Sequence, residues 1–359
     1  YNNTKNQSSL FTIYDNTFVV NEQGEVIGER NRDRKYPWKE RKMKTYRLAR
    51  LYEFAGWPEY AKRAAACSTN LQYFVMSSPN GDGDMQLQWA NFCHLRLCPL
   101  CVGRRAKKAA YELSQVLDKV QADHEGTMYL FLTLTVRNCP GDKLGDTLGE
   151  LTKAWHRLVM HRQVKRAIKG WYRALEVTRN TGGGEWHGTY HPHIHAVLAV
   201  EPGYFAAESP LYIKQAEWVS RWRLALGADY DPRVHIEAAR AKGEYVAGRA
   251  AAVEAAKYAV KDEDYIDPRL SDDEAAGIVE TYTKALYKRR LVAYGGWLKE
   301  AAKALDMADP EDDDLVHIDK ETIRADVADL IEEYHWHFGA GDYVLTSRRV
   351  NPLKVVVSC

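Results

Sequence analysis

The chain has 359 residues, 45% of them hydrophobic, and a formal net charge of +1. That is enough apolar material for one large domain with additions or for two domains. No apolar run approaches the roughly 20 residues of a membrane-spanning helix, and the opening Tyr-Asn-Asn-Thr lacks the basic and apolar regions of a secretory signal, so a cytoplasmic protein with no membrane partner is expected. Opening on Tyr1 rather than Met, the chain reads as a trimmed piece of something longer.

The small net charge hides an uneven distribution. Basic residues crowd 30–50, recur at Arg104, Arg105, Lys107 and Lys108, and again at Arg157, Arg162, Lys165, Arg166 and Lys169, whereas acid collects at 311–314 and 319–333. With Tyr36, Trp38 and Tyr46 interleaved, the first cluster suits a phosphate backbone about as well as a solvated helix face.

In chain order, residues 1–28 read as a loose polar arm with one short strand at 18–20. Helical patterns follow at 44–54 and 59–66, broken by Gly56-Trp57-Pro58, and strands at 71–76 and 85–92 flank the turn-rich 79–83. Next comes Cys93-x4-Cys98-Pro-Leu-Cys101, which with Cys67 offers four thiols at spacings suited to a structural Zn²⁺; Arg104 and Arg105 then begin a basic helix directed at DNA.

From 128 the pattern alternates differently: strand 128–137, helix 144–168, strands 171–179 and 190–200, helix 210–226 and strand 233–238. This β-α-β-β-α-β order predicts an α+β fold, a ferredoxin-like antiparallel sheet with helices on one face. Beyond it, helices are expected at 244–261, at 272–307 with a break at Gly295-Gly296, and at 320–333, with a closing strand pair at 343–346 and 354–357. The expected domains are a flexible arm 1–28, a basic zinc-knuckle DNA-binding lobe 29–125, a catalytic domain 126–265, and a helical and C-terminal extension 266–359.

Within His191-Pro-His-Ile-His195, alternation puts His193 and His195 on one strand face, with Cα atoms about 6.5–7 Å apart. Two imidazoles so held can grip a divalent ion and leave positions open for a phosphate oxygen. Glu176, opposite them across the 182–184 glycine turn, is the leading third ligand, and His191 competes with it. On the expected 244–261 helix, Glu254 and Tyr258 stand one turn apart with Lys261 at i+3, a carboxylate, a phenol and an ammonium able to converge on one phosphate. Tyr245 and Tyr265 are the alternative nucleophiles.

Together these segments, with Phe131-Leu-Thr-Leu-Thr-Val-Arg-Asn138, resemble the Rep replication initiators of small rolling-circle plasmids in bacteria, within the HUH endonuclease superfamily. The resemblance implies a nickase acting at a plasmid double-strand origin. His193 and His195 would hold Mg²⁺ or Mn²⁺, Tyr258 would attack the scissile phosphate and keep the 5′ end, and Glu254 would assist release by hydrolysis or strand transfer. The 3′-hydroxyl would prime host DNA polymerase, with a host helicase ahead of it. Rival readings are a single-strand transposase or relaxase of the same superfamily, a non-catalytic zinc-knuckle regulator, and a small-phosphoester hydrolase. Relaxases usually place the tyrosine before the histidines, the reverse of the order here.

Overall fold

The computed structural model describes residues 17–77, 83–239, 260–307, 314–318 and 323–354. In chain order the described elements begin with strands β1 (Phe18–Val20) and β2 (Val26–Glu29), helices α1 (Trp38–Phe54) and α2 (Pro58–Ala66), strands β3 (Asn70–Val75) and β4 (Met85–Ala90), and helix α3 (Pro99–Asp123). Then come β5 (Met128–Thr135), α4 (Leu144–Met160), α5 (Arg162–Ala167), β6 (Ile168–Arg179), β7 (Tyr190–Val200), α6 (Gln215–Leu226) and β8 (Val234–Ala238). The chain continues with α7 (Asp272–Leu286), β9 (Val292–Gly296), α8 (Trp297–Ala304), β10 (Leu330–His337) and β11 (Asp342–Val350). Among the described residues no helix is long and apolar enough to cross a membrane.

The chain is α+β and divides into two compact units, residues 1–101 with 314–359, and residues 102–313. The first is built on an antiparallel sheet of order β11-β10-β3-β4. Gly56, at φ +76°, ends α1 in the left-handed region, and Pro58 starts α2 at a position where its missing N–H costs nothing. Leu48, Leu51, Tyr52, Tyr73, Tyr334, Trp336 and Tyr343 are buried, and Tyr73 meets Tyr334 edge to face across the strands at 5.8 Å.

The expected helix over 320–333 is not what forms: residues 319–322 lie outside the described residues, and β10, from Leu330, pairs with both β3 and β11. Its acidic start looks helical, but Tyr334 and Trp336 alternate inward with His335 and His337 outward, and that period of two decides. Glu332, fully buried, is held by Arg32 Nη2 at 2.9 Å, Arg348 Nε at 2.8 Å and the Tyr334 hydroxyl at 2.6 Å. Of the strand pair expected to close the chain, the first member lies within β11, and 355–357 of the second lie outside the described residues.

The second unit is built on a five-stranded antiparallel sheet of order β8-β5-β7-β6-β9. The alternation of β5, β6 and β7 gives it two faces. Leu113, Val116, Leu117 and Val120 of α3 and Leu298 and Ala301 of α8 pack against Tyr129, Phe131, Tyr172, Ala174, Val197 and Ala199 on one face. On the other, Trp155 of α4 meets Trp171 at 5.2 Å. Helices on one face only were expected; α3 and α8 cover the second because its strands carry apolar side chains there too.

The 144–168 helix breaks at His161, whose backbone is extended, and β6 begins at Ile168. The 210–226 helix starts only at Gln215. The largest correction concerns 272–307, where β9 separates two helices. A Cβ on Gly295 would lie 2.2 Å from the Trp171 indole, so the Gly-Gly pair permits a strand to cross over that ring instead of breaking a helix.

Candidate metal centres

Two groups of metal-ligating side chains converge among the described residues. In the first unit, Cys67 follows α2, Cys93 and Cys98 flank a loop, and Cys101 lies in the first turn of α3; all four are buried and none forms a disulfide. The Sγ atoms of Cys67 and Cys101 are 3.6 Å apart, those of Cys93 and Cys101 3.7 Å, and those of Cys98 and Cys67 3.6 Å. A tetrahedron with Zn–S bonds of about 2.3 Å has edges of about 3.8 Å, so the nest is already close to the size that zinc requires. Burial opposes a thiolate at Cys98, but hydrogen bonds from Cys101, Cys67 and Cys93 outweigh it and hold that thiol well below its usual range, whereas burial pushes Cys101 up.

Lys42, fully buried, donates to the carbonyl oxygens of Ala65 (2.9 Å) and Cys67, and burial pushes its ammonium down to about 8 against the pull of the four cysteines. Counted by charge alone, Lys42 belonged to a phosphate-binding cluster; it lies inside the protein instead. Its neighbours are also engaged internally: Arg30 and Lys39 pair with Asp342, Arg32 with Glu332, and Arg41 donates to the Pro99 carbonyl. Tyr36 and Trp38 are buried and unavailable to stack on bases. In the second basic cluster, Arg104 and Lys108 are buried, Lys108 lies 3.8 Å from Glu112, and Lys107 is exposed.

The second group lies on the two central strands of the second unit. Glu176 pairs in register with His193 across β6 and β7, and alternation puts His195 on the same face. Glu176 Oε2 is 2.9 Å from His195 Nε2 and 3.3 Å from His193 Nε2, near the roughly 3.0 Å between adjacent corners of an octahedron with bonds of about 2.1 Å. All three residues are buried. Burial alone would raise the Glu176 carboxyl, but hydrogen bonds from the two histidines hold it well below the carboxylate range.

The outer nitrogens fix the rings. His193 Nδ1 lies 3.1 Å from the His191 carbonyl oxygen, which can only accept, so this nitrogen carries a proton and Nε2 is the atom turned toward the carboxylate. His195 Nδ1 meets the Thr133 hydroxyl at 3.2 Å. Two imidazole nitrogens and a carboxylate facing one point form a donor set that fits a divalent cation. His191 stays outside the cluster: its Nδ1 bonds Asn138 Oδ1 at 2.7 Å, and its ring is 5.4 Å from that of His193. Thr133 and Asn138, both in the 131–138 segment, were not singled out as functional residues; strand pairing with His195 was the signal for Thr133, and Asn138 had none.

Glu254, Tyr258 and Tyr245 lie outside the described residues. The last two residues of the helix expected over 244–261 are not helical: Val260 forms a parallel bridge with Val177, and Lys261 is extended with its Nζ 3.8 Å from Glu176 Oε1. The i+3 argument for Lys261 therefore fails, yet the residue arrives at the trio by another route. Asp264 anchors this turn, accepting from Arg179 N at 3.0 Å and from the Tyr282 hydroxyl at 2.5 Å. Tyr265 is 1% exposed and cannot serve as an alternative nucleophile.

Residues 84–344 match the family model described as "Replication protein". The chain belongs to this family of Rep replication initiators. It is 34% identical to "Protein rep" of Bacillus amyloliquefaciens, over 87% of this chain and 94% of that one. Against "Protein rep" of Streptococcus pneumoniae serotype 2 it is 35% identical over 80% and 85%, and against "Replication protein" of Staphylococcus aureus 32% over 64% and 96%. No solved structure matches the chain at a significant level. The span shared with the Rep family contains Cys93, Cys98, Cys101 and the whole Glu176, His193, His195 trio, while Cys67 precedes it.

Proposed function

We propose that this Rep-family protein starts plasmid rolling-circle replication by nicking one strand at the double-strand origin, as a ferredoxin-like HUH endonuclease with a separate zinc-bearing lobe. The observation that carries the reading is the trio of Glu176, His193 and His195 with Lys261 beside it. A divalent ion held by these side chains would supply Lewis-acid polarisation of a phosphoryl oxygen, and the mixed nitrogen and oxygen set suits Mn²⁺ better than Mg²⁺.

Tyr258 is the nucleophile. Its Oη–P bond forms, the P–O3′ bond breaks, and the departing oxygen takes a proton to leave a 3′-hydroxyl for host polymerase, with a helicase unwinding ahead. Support for this choice is covalent: Tyr258 stands two residues before Val260, two residues span at most about 7 Å, and Val260 bridges the strand residue next to Glu176. Glu254 takes a proton from water when the 5′-phosphotyrosine is hydrolysed, and strand transfer to a 3′-hydroxyl is the other exit. The four cysteines hold Zn²⁺ structurally and do no chemistry.

The test is mass spectrometry of the peptide covering Tyr258 after incubation with a single-stranded origin oligonucleotide and Mn²⁺. A nucleotide adduct on Tyr258 is expected, and none with Tyr258→Phe. Origin binding without any adduct would instead identify a DNA-binding regulator.

A further inference from the structure

We infer that Arg233 holds the phosphate next to the scissile one in the strand being cut, and so sets how that strand lies across the metal trio. The partner rests on the nuclease reading, whereas the placement of Arg233 does not. Glu176 pairs in register with His193, and His193 with Thr135. Thr135 then gives its N–H and its hydroxyl to the Arg233 carbonyl, both at 3.1 Å. Glu176, His193, Thr135 and Arg233 therefore form one row across β6, β7, β5 and the residue before β8, and side chains in one row share a face of the sheet.

Exposure agrees with the register. Arg233 is exposed between buried Pro232 and Val234, as alternation along the strand requires. With strands about 4.8 Å apart, its backbone stands about 10 Å from that of His193, a gap that the long side chain narrows over Thr135. Burial, His193 and then Arg233 lower the His191 pKa, which puts the guanidinium within electrostatic reach of the histidine strand. Its mount is fixed as well: fully buried Trp222 donates to the Thr135 carbonyl at 2.8 Å, and the Gln215 amide donates to the Val234 carbonyl.

The nearby carboxylates leave this charge uncancelled. Asp231 pairs with Arg223 at 3.1 Å, Glu237 with His235 at 3.6 Å and Asp229 with Arg137 at 3.8 Å, and among the described residues Arg233 has no ion pair. Lys261 stands on the other flank of the trio, 3.8 Å from Glu176, so the two cations mark the ends of a path along the row. A strand laid on that path with its scissile phosphate at the trio brings the next phosphate over Thr135 toward Arg233. There the guanidinium fork matches two phosphate oxygens and fixes register without reading sequence.

The first measurement is binding of the full chain to a single-stranded origin oligonucleotide, by fluorescence anisotropy over a series of salt concentrations. One phosphate contact on a single strand contributes about 0.7 to the steepness of log K against log salt, so Arg233→Ala should lower it by about 0.7 and Arg233→Lys should keep it. The control Arg166→Ala, at an exposed arginine on α5 beyond the end of β6 far from Glu176, should also keep the parent slope. In the second measurement a neutral methylphosphonate replaces, in turn, each linkage beside the one that the parent joins to itself. At one of the two, adduct formation by the parent should slow about tenfold, while Arg233→Ala, already about tenfold slower, should lose nothing more. An unchanged slope, an equal fall in the control, or two losses that multiply would overturn the proposal. A parent that forms no adduct overturns the nuclease reading instead, and the slope still decides whether Arg233 takes a phosphate.

Discussion

Two buried glutamates sit on inner strands of the two antiparallel sheets, and both are held ionised below the usual carboxylate range. Burial would raise the pKa of each, and in each the hydrogen bonds prevail. Glu332 is neutralised from within by the guanidinium groups of Arg32 and Arg348 and by the Tyr334 hydroxyl. Glu176 faces two imidazoles whose Nδ1 atoms are tied elsewhere, with one lysine, half exposed, at 3.8 Å. A carboxylate with permanent cations around it is part of the fold, and one without a full complement is a ligand. At the cysteine nest a single ammonium, Lys42, stands beside four thiols, too little charge to balance them once they ionise, which fits the proposed zinc.

The largest effect is expected at that nest. Removing zinc with a chelator, or introducing Cys98→Ser, should abolish cooperative unfolding of the first unit, because structural zinc is worth on the order of 10 kcal/mol. Calorimetry together with elemental analysis checks this, and retention of a sharp transition in a zinc-free sample would refute it. At Glu332 the loss should be smaller but still purely structural. Glu332→Ala takes a fully buried anion from Arg32 and from Arg348, which keeps Glu29, and should cost about 3 kcal/mol in denaturant unfolding, with no change in Mn²⁺ affinity.

The same glutamate gives a pH signature. Its folded pKa lies below the ordinary 4.5, so its contribution is complete above about pH 4.5 and is lost as pH falls through the depressed value. The stability gap between the parent and Glu332→Gln should therefore be flat near neutrality and close in acid; a gap that widened in acid would break the comparison. The Glu176 carboxyl is depressed as well, so Glu176→Gln should also cost stability, but its distinguishing effect should be on nicking, which should fall more than about 100-fold because an amide is a poor ligand.

Much of the second unit was legible because β5 and β7 carry long apolar runs and β8 alternates with a period of two. The pairing of Glu176 with His193 followed from the hairpin and is what forms. What misled were segments whose fate depends on distant partners. Residues 330–333 look helical until Arg32 and Arg348 arrive from far along the chain, and Gly295-Gly296 looks like a break until Trp171 lies under it. Charge counting failed at Lys42 for the same reason, since burial against the cysteines is invisible in composition.

The finest distinction between the two glutamates lies one bond further out. Thr133 touches no anion; its hydroxyl meets His195 Nδ1 and thereby settles which nitrogen of that ring faces Glu176. Thr133→Val keeps the shape and the β-branch and removes only the hydroxyl, so the fold should be nearly indifferent. If the trio is a ligand set, freeing the ring to turn should weaken Mn²⁺ binding by about tenfold, measured by titration calorimetry, and nicking should recover as Mn²⁺ is raised. If Glu176 were instead a structural carboxylate like Glu332, the same substitution would alter stability and leave the metal titration where it was.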